Sequence, residues 1–201
     1  MIEEAVAELK EGRPVVLPTD TVYGLCADPY SEAPARELYR MKGTPPEQPM
    51  ALVAGEIELL FECVPELRGR SGTMVRALLP GPFTLILPNP GHRYHWITGS
   101  APDRIGVRVP DLVGAGAEVL ARVGAVVATS ANVHGGPDPR RLEDVPVEIR
   151  AGAAAVVDGG ELPGKPSTVL DLTGEEPQVL REGAVPAEEA LARALAATVG
   201  R

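Results

Sequence analysis

Ala125-Val126-Val127-Ala128-Thr129-Ser130-Ala131-Asn132 joins a short apolar run to a polar tail, and that junction decides how the chain is read. A run of four apolar residues is too short for a helix and reads as a buried strand. Its continuation sets hydroxyl, amide and backbone N–H groups at the edge of a sheet, where such groups ligate anionic oxygens without bulk. An ordinary Ser/Asn turn remains the alternative. The same design occurs upstream, where Pro14 and Pro18 enclose Val15-Val16-Leu17 and the chain runs on into Thr19-Asp20-Thr21. Asp20 could orient a hydroxyl or hold Mg²⁺, or it could cap the turn.

Working outward, further strands are expected at 50–54, 83–87, 105–109, 153–157, 167–172 and 178–181. Helices are expected at about 2–12, 34–41, 56–62, 73–79, 115–123 and 187–199. Strands interleaved with helices give an α/β (α+β) fold. We expect a single three-layer domain with a twisted mixed sheet of about seven strands flanked by helices. Its core spans about 14–183 within 1–201, and the terminal helix is Ala-rich. Residues 89–103 are the longest irregular stretch and are read as a flap.

The totals narrow the chemistry. The 201 residues are 44% hydrophobic but only 3% aromatic, so a core of Val, Leu, Ile and Ala is expected and broad base stacking is disfavoured. The net charge of −9 repels nucleic acid and anionic membranes, so any anion site must be local. No stretch approaches a membrane span. The start of the chain carries no secretory pattern. Cys26 and Cys63 lack a close pairing and read as buried thiols in a reducing compartment, with the cytoplasm as the expected location. His92 and His95 have no third metal ligand nearby, and His134 reads as a loop residue near the polar tail. Neither a phosphate loop of the usual kind nor a G-x-S-x-G elbow is present.

Lysine is scarce: Lys10, Lys42 and Lys165 are the only three. Lys42 closes a helical pattern before Gly43-Thr44-Pro45-Pro46. Arg108 lies inside an apolar strand, where a charge is costly unless it is paired or faces a cavity. It could grip a carboxylate or phosphate, form a structural ion pair, or lie exposed. Arg181 ends Val179-Leu180 in the same manner, and Ser167-Thr168 opens a strand with two hydroxyls.

In this order, Pro18-Thr19-Asp20-Thr21-Val22-Tyr23-Gly24-Leu25, Lys42, Pro80-Gly81-Pro82-Phe83-Thr84, Val107-Arg108-Val109-Pro110, Thr129-Ser130-Ala131-Asn132, Ser167-Thr168-Val169 and Arg181-Glu182-Gly183 resemble the YrdC-like family of L-threonylcarbamoyladenylate synthases, in a short form holding the catalytic domain alone. The resemblance covers about Pro14 to Gly183. It implies a concave ligand cavity and a reaction that joins L-threonine, bicarbonate and ATP into threonylcarbamoyl-AMP and pyrophosphate, for the N6-threonylcarbamoyl modification of adenosine 37 in tRNA. It places Thr21, Arg108, Ala128 and Ser167 around threonine. It places Gln48, Ser130, Asn132, Asp138 and Arg181 around the nucleotide, with Lys42 at the phosphates. Lys42 and Arg108 would be the catalytic cations. ATP would be a substrate, Mg²⁺ would be held mainly through its phosphates, and no protein metal site is expected. The proteins that transfer threonylcarbamoyl to tRNA are candidate partners, and direct tRNA contact stays open. One departure stands out. The family commonly reads Lys-x-Arg, and this chain reads Lys42-Gly43-Thr44, so a second cation is missing. A paralogue that binds nucleotide or structured RNA without synthase activity is the competing expectation.

Overall fold

A computed structural model describes residues 1–199. Nine strands form one sheet in the order β7-β1-β2-β6-β3-β5-β4-β8-β9. They are β1 (Val15–Pro18), β2 (Tyr23–Ala27), β3 (Ala51–Ala54), β4 (Phe83–Pro88), β5 (Arg104–Arg108), β6 (Ala125–Ser130), β7 (Ala155–Val156), β8 (Thr168–Asp171) and β9 (Gln178–Arg181). β7/β1, β3/β5 and β4/β8 pair parallel, and the other neighbours pair antiparallel. The sheet is therefore mixed, as expected, but it has more strands than the seven anticipated. β2 is the one strand with no counterpart among the eight segments expected. Its apolar Tyr23-Gly24-Leu25-Cys26-Ala27 follows the four-residue turn Thr19-Asp20-Thr21-Val22 too closely to stand out as a separate run.

Seven helices flank the sheet: α1 (Ile2–Lys10), α2 (Glu32–Lys42), α3 (Ile57–Cys63), α4 (Gly69–Leu78), α5 (Gly114–Val123), α6 (Val147–Gly152) and α7 (Ala187–Val199). Alternation along the strands sorts side chains to two faces. Tyr23 and Leu25 of β2, Leu52 of β3, Leu85 of β4, Val107 of β5 and Val127 of β6 pack with α2, α3, α4, α6 and α7 in the larger core. Val15 and Leu17 of β1, Cys26, Val53 and Val126 point the other way, against α1 and α5. Those two helices cover only the β7-β1-β2-β6-β3 half of their face. Over β5, β4 and β8 no helix among the described residues packs on that face, and a cavity opens there beside α5.

Residues 89–103 are tied down rather than a loose flap. Asn89 is fully buried. Its amide donates to the carbonyls of Arg93 and Pro102, each at 2.9 Å, and its side-chain oxygen accepts from Arg93 N–H at 3.0 Å. Within the segment Ile97 joins the main core, and Met50 N–H donates to its carbonyl. No helix among the described residues is long and apolar enough to cross a membrane. Cys26 and Cys63 are free and buried.

Candidate active site

The cavity divides into two hollows that share Pro49, Met50, Thr129, Ser130, Asp138 and Arg181. The inner one, about 290 Å³, is floored by alternate residues of the half-covered face, among them Ala51, Thr84, Gly106, Val126 and Ala128. The outer one, about 360 Å³, lies between the end of α2 and the turn after β6. Each volume is near the lower end of the range of ligand sites.

Arg108 reaches the inner hollow from the end of β5. Its Nη2 donates to Asp20 Oδ1 at 2.7 Å and approaches Thr21 Oγ1 at 3.4 Å. Both members of the Arg108–Asp20 pair are nearly buried, with side chains 12% and 7% exposed. Arg108 Nε is buried with no hydrogen-bond partner. An unpaired guanidinium donor in a low-dielectric site is costly. Of the readings left open for Arg108, the ion pair is the one present here. Burial pushes the Asp20 carboxyl up from its usual range, against the pull of Arg108.

Small hydroxyls complete this hollow. Thr19 Oγ1 accepts the N–H groups of Thr21 and Val22, each at 3.2 Å, and so folds the β1–β2 turn. It also lies 3.0 Å from Thr21 Oγ1. Ser167 Oγ lies 2.8 Å from Thr84 Oγ1. Arg181 Nη2 donates to Ser167 O at 2.8 Å and Oγ at 3.2 Å. Cys26 lines the floor, and burial pushes its thiol up to about 12. It stays protonated and is a poor nucleophile.

The outer hollow is organised by Lys42. α2 ends at Gly43, whose φ of 62° closes the helix in the left-handed conformation that glycine tolerates. That ending holds Lys42 beneath the β6 turn. Its ammonium donates to Ser130 O at 2.5 Å, Asn132 O at 2.6 Å and Asn132 Oδ1 at 2.7 Å. An ammonium has three donors, so all of them are engaged. Asn132 Oδ1 also accepts from Ser130 Oγ at 2.6 Å, and its amide donates to Gly136 O at 2.6 Å. Burial pulls Lys42 down to about 8, while Asp138 pushes it back up. Thr44 Oγ1 is buried without a partner.

All ten residues singled out in the sequence line one or both hollows. Thr21, Arg108, Ala128 and Ser167 line the inner, and Lys42, Gln48 and Asn132 the outer. Ser130, Asp138 and Arg181 lie at the seam. Asp20 as the partner of Arg108, Thr84 as the partner of Ser167, and Tyr39 and His134 in the outer lining were not placed by sequence. Only Asp20 and His134 carried any signal: a carboxylate in the first polar turn, and a histidine just past the second.

A half-covered mixed sheet with cations and small hydroxyls at one mouth defines an α/β protein with a polar pocket at the sheet edge. The Sua5/YciO/YrdC family model, described as Telomere recombination, matches residues 7–183, and the chain belongs to that family. It is 33% identical over 94% of its length to a threonylcarbamoyl-AMP synthase of Pyrococcus abyssi, of which it spans 55%. A putative threonylcarbamoyl-AMP synthase of Mycobacterium tuberculosis is 32% identical over 93% of this chain and 86% of its own length. Among solved structures, P. abyssi Sua5 complexed with L-threonine superposes with a TM-score of 0.86 at 31% identity, covering 96% of this chain and 56% of that one.

Proposed function

We propose that this protein is an L-threonylcarbamoyladenylate synthase, joining L-threonine, bicarbonate and ATP into threonylcarbamoyl-AMP and pyrophosphate for tRNA threonylcarbamoyladenosine formation. The observation that carries the reading is the Arg108 guanidinium lining a hollow among the hydroxyls of Thr19, Thr21, Thr84 and Ser167, a hollow that shares Ser130, Asp138 and Arg181 with a polar neighbour. An amino acid held in the first would present its amine at the seam, next to a nucleotide held in the second. The names of the P. abyssi and M. tuberculosis relatives and the L-threonine bound to P. abyssi Sua5 support the same substrates.

In this reading Arg108 holds the threonine carboxylate, and Thr21 and Ser167 bond its hydroxyl. Ala128 leaves room for the side chain. Gln48, Ser130, Asn132, Asp138 and Arg181 surround the nucleotide. The threonine nitrogen attacks the carbon of bicarbonate, and water leaves to give the carbamate. A carbamate oxygen then attacks the α-phosphorus of ATP, and the bond to the pyrophosphate oxygen breaks. Orientation of bound partners supplies about 7–11 kcal/mol in favourable cases. The positive fields of Lys42 and Arg181 offset charge on the phosphoryl oxygens. The high pKa of the Cys26 thiol argues against a covalent intermediate on that cysteine.

A divalent cation would arrive on the ATP phosphates and lower their negative charge. Asp138 is the carboxylate lining both hollows, and no group of three His, Cys, Asp or Glu side chains is gathered among the described residues. The residues fit a cation carried by the nucleotide rather than one caged by the protein. The product, a reactive mixed anhydride, calls for partners that transfer threonylcarbamoyl to tRNA.

The test is pyrophosphate release with purified protein. Release that requires threonine, bicarbonate and ATP together, and that falls at least about tenfold in Arg108→Ala, supports the assignment. No threonine-dependent release from the unaltered protein would overturn it.

A further inference from the structure

The outer hollow presents an electrostatic shortage. Its floor is the carboxyl end of α2, where the helix carries partial negative charge, and the whole chain carries −9. Three lining residues can be cationic: Lys42, His134 and Arg181. Lys42 has given all three donors to Ser130 and Asn132. Arg181 is anchored on Ser167 at the seam with the inner hollow. Position 44, two residues beyond Lys42, holds an uncharged threonine.

His134 differs from both. Its backbone N–H donates to the Lys42 carbonyl at 2.9 Å, which fixes it beside the end of α2. Its side chain is exposed and makes no hydrogen bond or ion pair among the described residues. It is followed by Gly135 and Gly136, which also line the hollow and leave room above it. Thr44 also lines the hollow, and its hydroxyl is buried with no hydrogen-bond partner.

We propose that His134 is the second phosphate-binding side chain of this chain, closing on the β- and γ-phosphates of ATP from the β6 turn. Lys42 then serves as the internal brace that holds the Ser130–Asn132 turn and supplies a field, while His134 supplies the directed hydrogen bond. The specificity is for a polyphosphate over a monophosphate, since the side chain lies at the α2 end of the hollow rather than at the seam. This inference rests on the nucleotide reading above.

The experiment is calorimetric titration of ATP and of AMP into the unaltered protein, His134→Ala, His134→Arg, and the double variant Thr44→Arg/His134→Ala. His134→Ala should weaken ATP about tenfold and leave AMP within about twofold. His134→Arg should keep ATP affinity, and the double variant should recover most of it. Unchanged ATP affinity in His134→Ala would overturn the proposal. So would equal losses for ATP and AMP, which mark a merely structural residue. Failure of the unaltered protein to bind ATP at all would instead remove the nucleotide reading on which the proposal stands.

Discussion

Arg108 Nη2 meets Asp20 Oδ1 at 2.7 Å across 88 residues of chain, inside a cavity wall where neither charge has much water. Removing one member of such a pair strands the other. Arg108→Ala should therefore cost about 3–5 kcal/mol of stability. Adding Asp20→Asn should return a measurable part of it, because the stranded charge is gone. Urea denaturation of the two variants checks this. If the double variant is no more stable than Arg108→Ala, the pair is not the source of the cost.

The inner hollow is lined by hydroxyls that face one another: Thr19 with Thr21 and Ser167 with Thr84. A substrate hydroxyl entering there completes the set, whereas a methyl group leaves those oxygens without it. Valine, isosteric with threonine, should therefore support pyrophosphate release with kcat/KM at least about a hundredfold lower. Comparable turnover of the two amino acids would remove the hydroxyls from the specificity argument.

These pairings also mark how far the sequence could be read. The mixed sheet and most helices follow from local patterns, because apolar runs bounded by proline and glycine register within a few residues. β2 hides behind its polar turn, and α6 has only six residues, too few for a helical period to show. The cavity's position could in principle be traced to alternation: Thr84, Gly106, Arg108 and Ala128 interrupt otherwise apolar strands on one face. Which polar groups meet is another matter. Asp20 with Arg108, and Lys42 with Asn132, are joined by tertiary contacts 88 and 90 residues apart, and no periodicity encodes such pairings. The ordered motifs of a family pointed to residues that line the two hollows. That Lys42 is already engaged is set by contacts to Ser130 and Asn132, far away in the chain.

Gly99 offers a test of the segment first read as a flap. Its φ is 63°, and a Cβ there would overlap the Glu47 carbonyl oxygen, which accepts from Ser100 N–H at 3.2 Å. That contact supports the stretch carrying Gln48, whose own carbonyl accepts from Tyr39 Oη at 2.8 Å. Gly99→Ala should cost about 1–3 kcal/mol and displace this rim. The expected result is a lower denaturation midpoint with a larger rise in KM for ATP than for threonine. Equal rises would mean the segment supports the fold without shaping the outer hollow.

Lys42 makes nucleotide binding sensitive to alkaline pH. Burial pulls its ammonium down from 10.5 to about 8, so the folded chain holds that proton more weakly than the unfolded chain does. The sign of the linkage follows: this residue's contribution to stability rises between pH 8 and 10.5, as the buried charge is relieved. Binding runs the opposite way. The ammonium supplies positive field to the outer hollow, and loss of its proton also removes one donor from the Ser130–Asn132 brace. ATP affinity should therefore decline as pH rises through about 8 while the fold holds. Calorimetry at pH 7, 8 and 9.5 measures the decline, with thermal denaturation at each pH confirming that the protein is intact. ATP affinity that stays level to pH 9.5 would mean that the charge on Lys42 plays no part in holding the nucleotide.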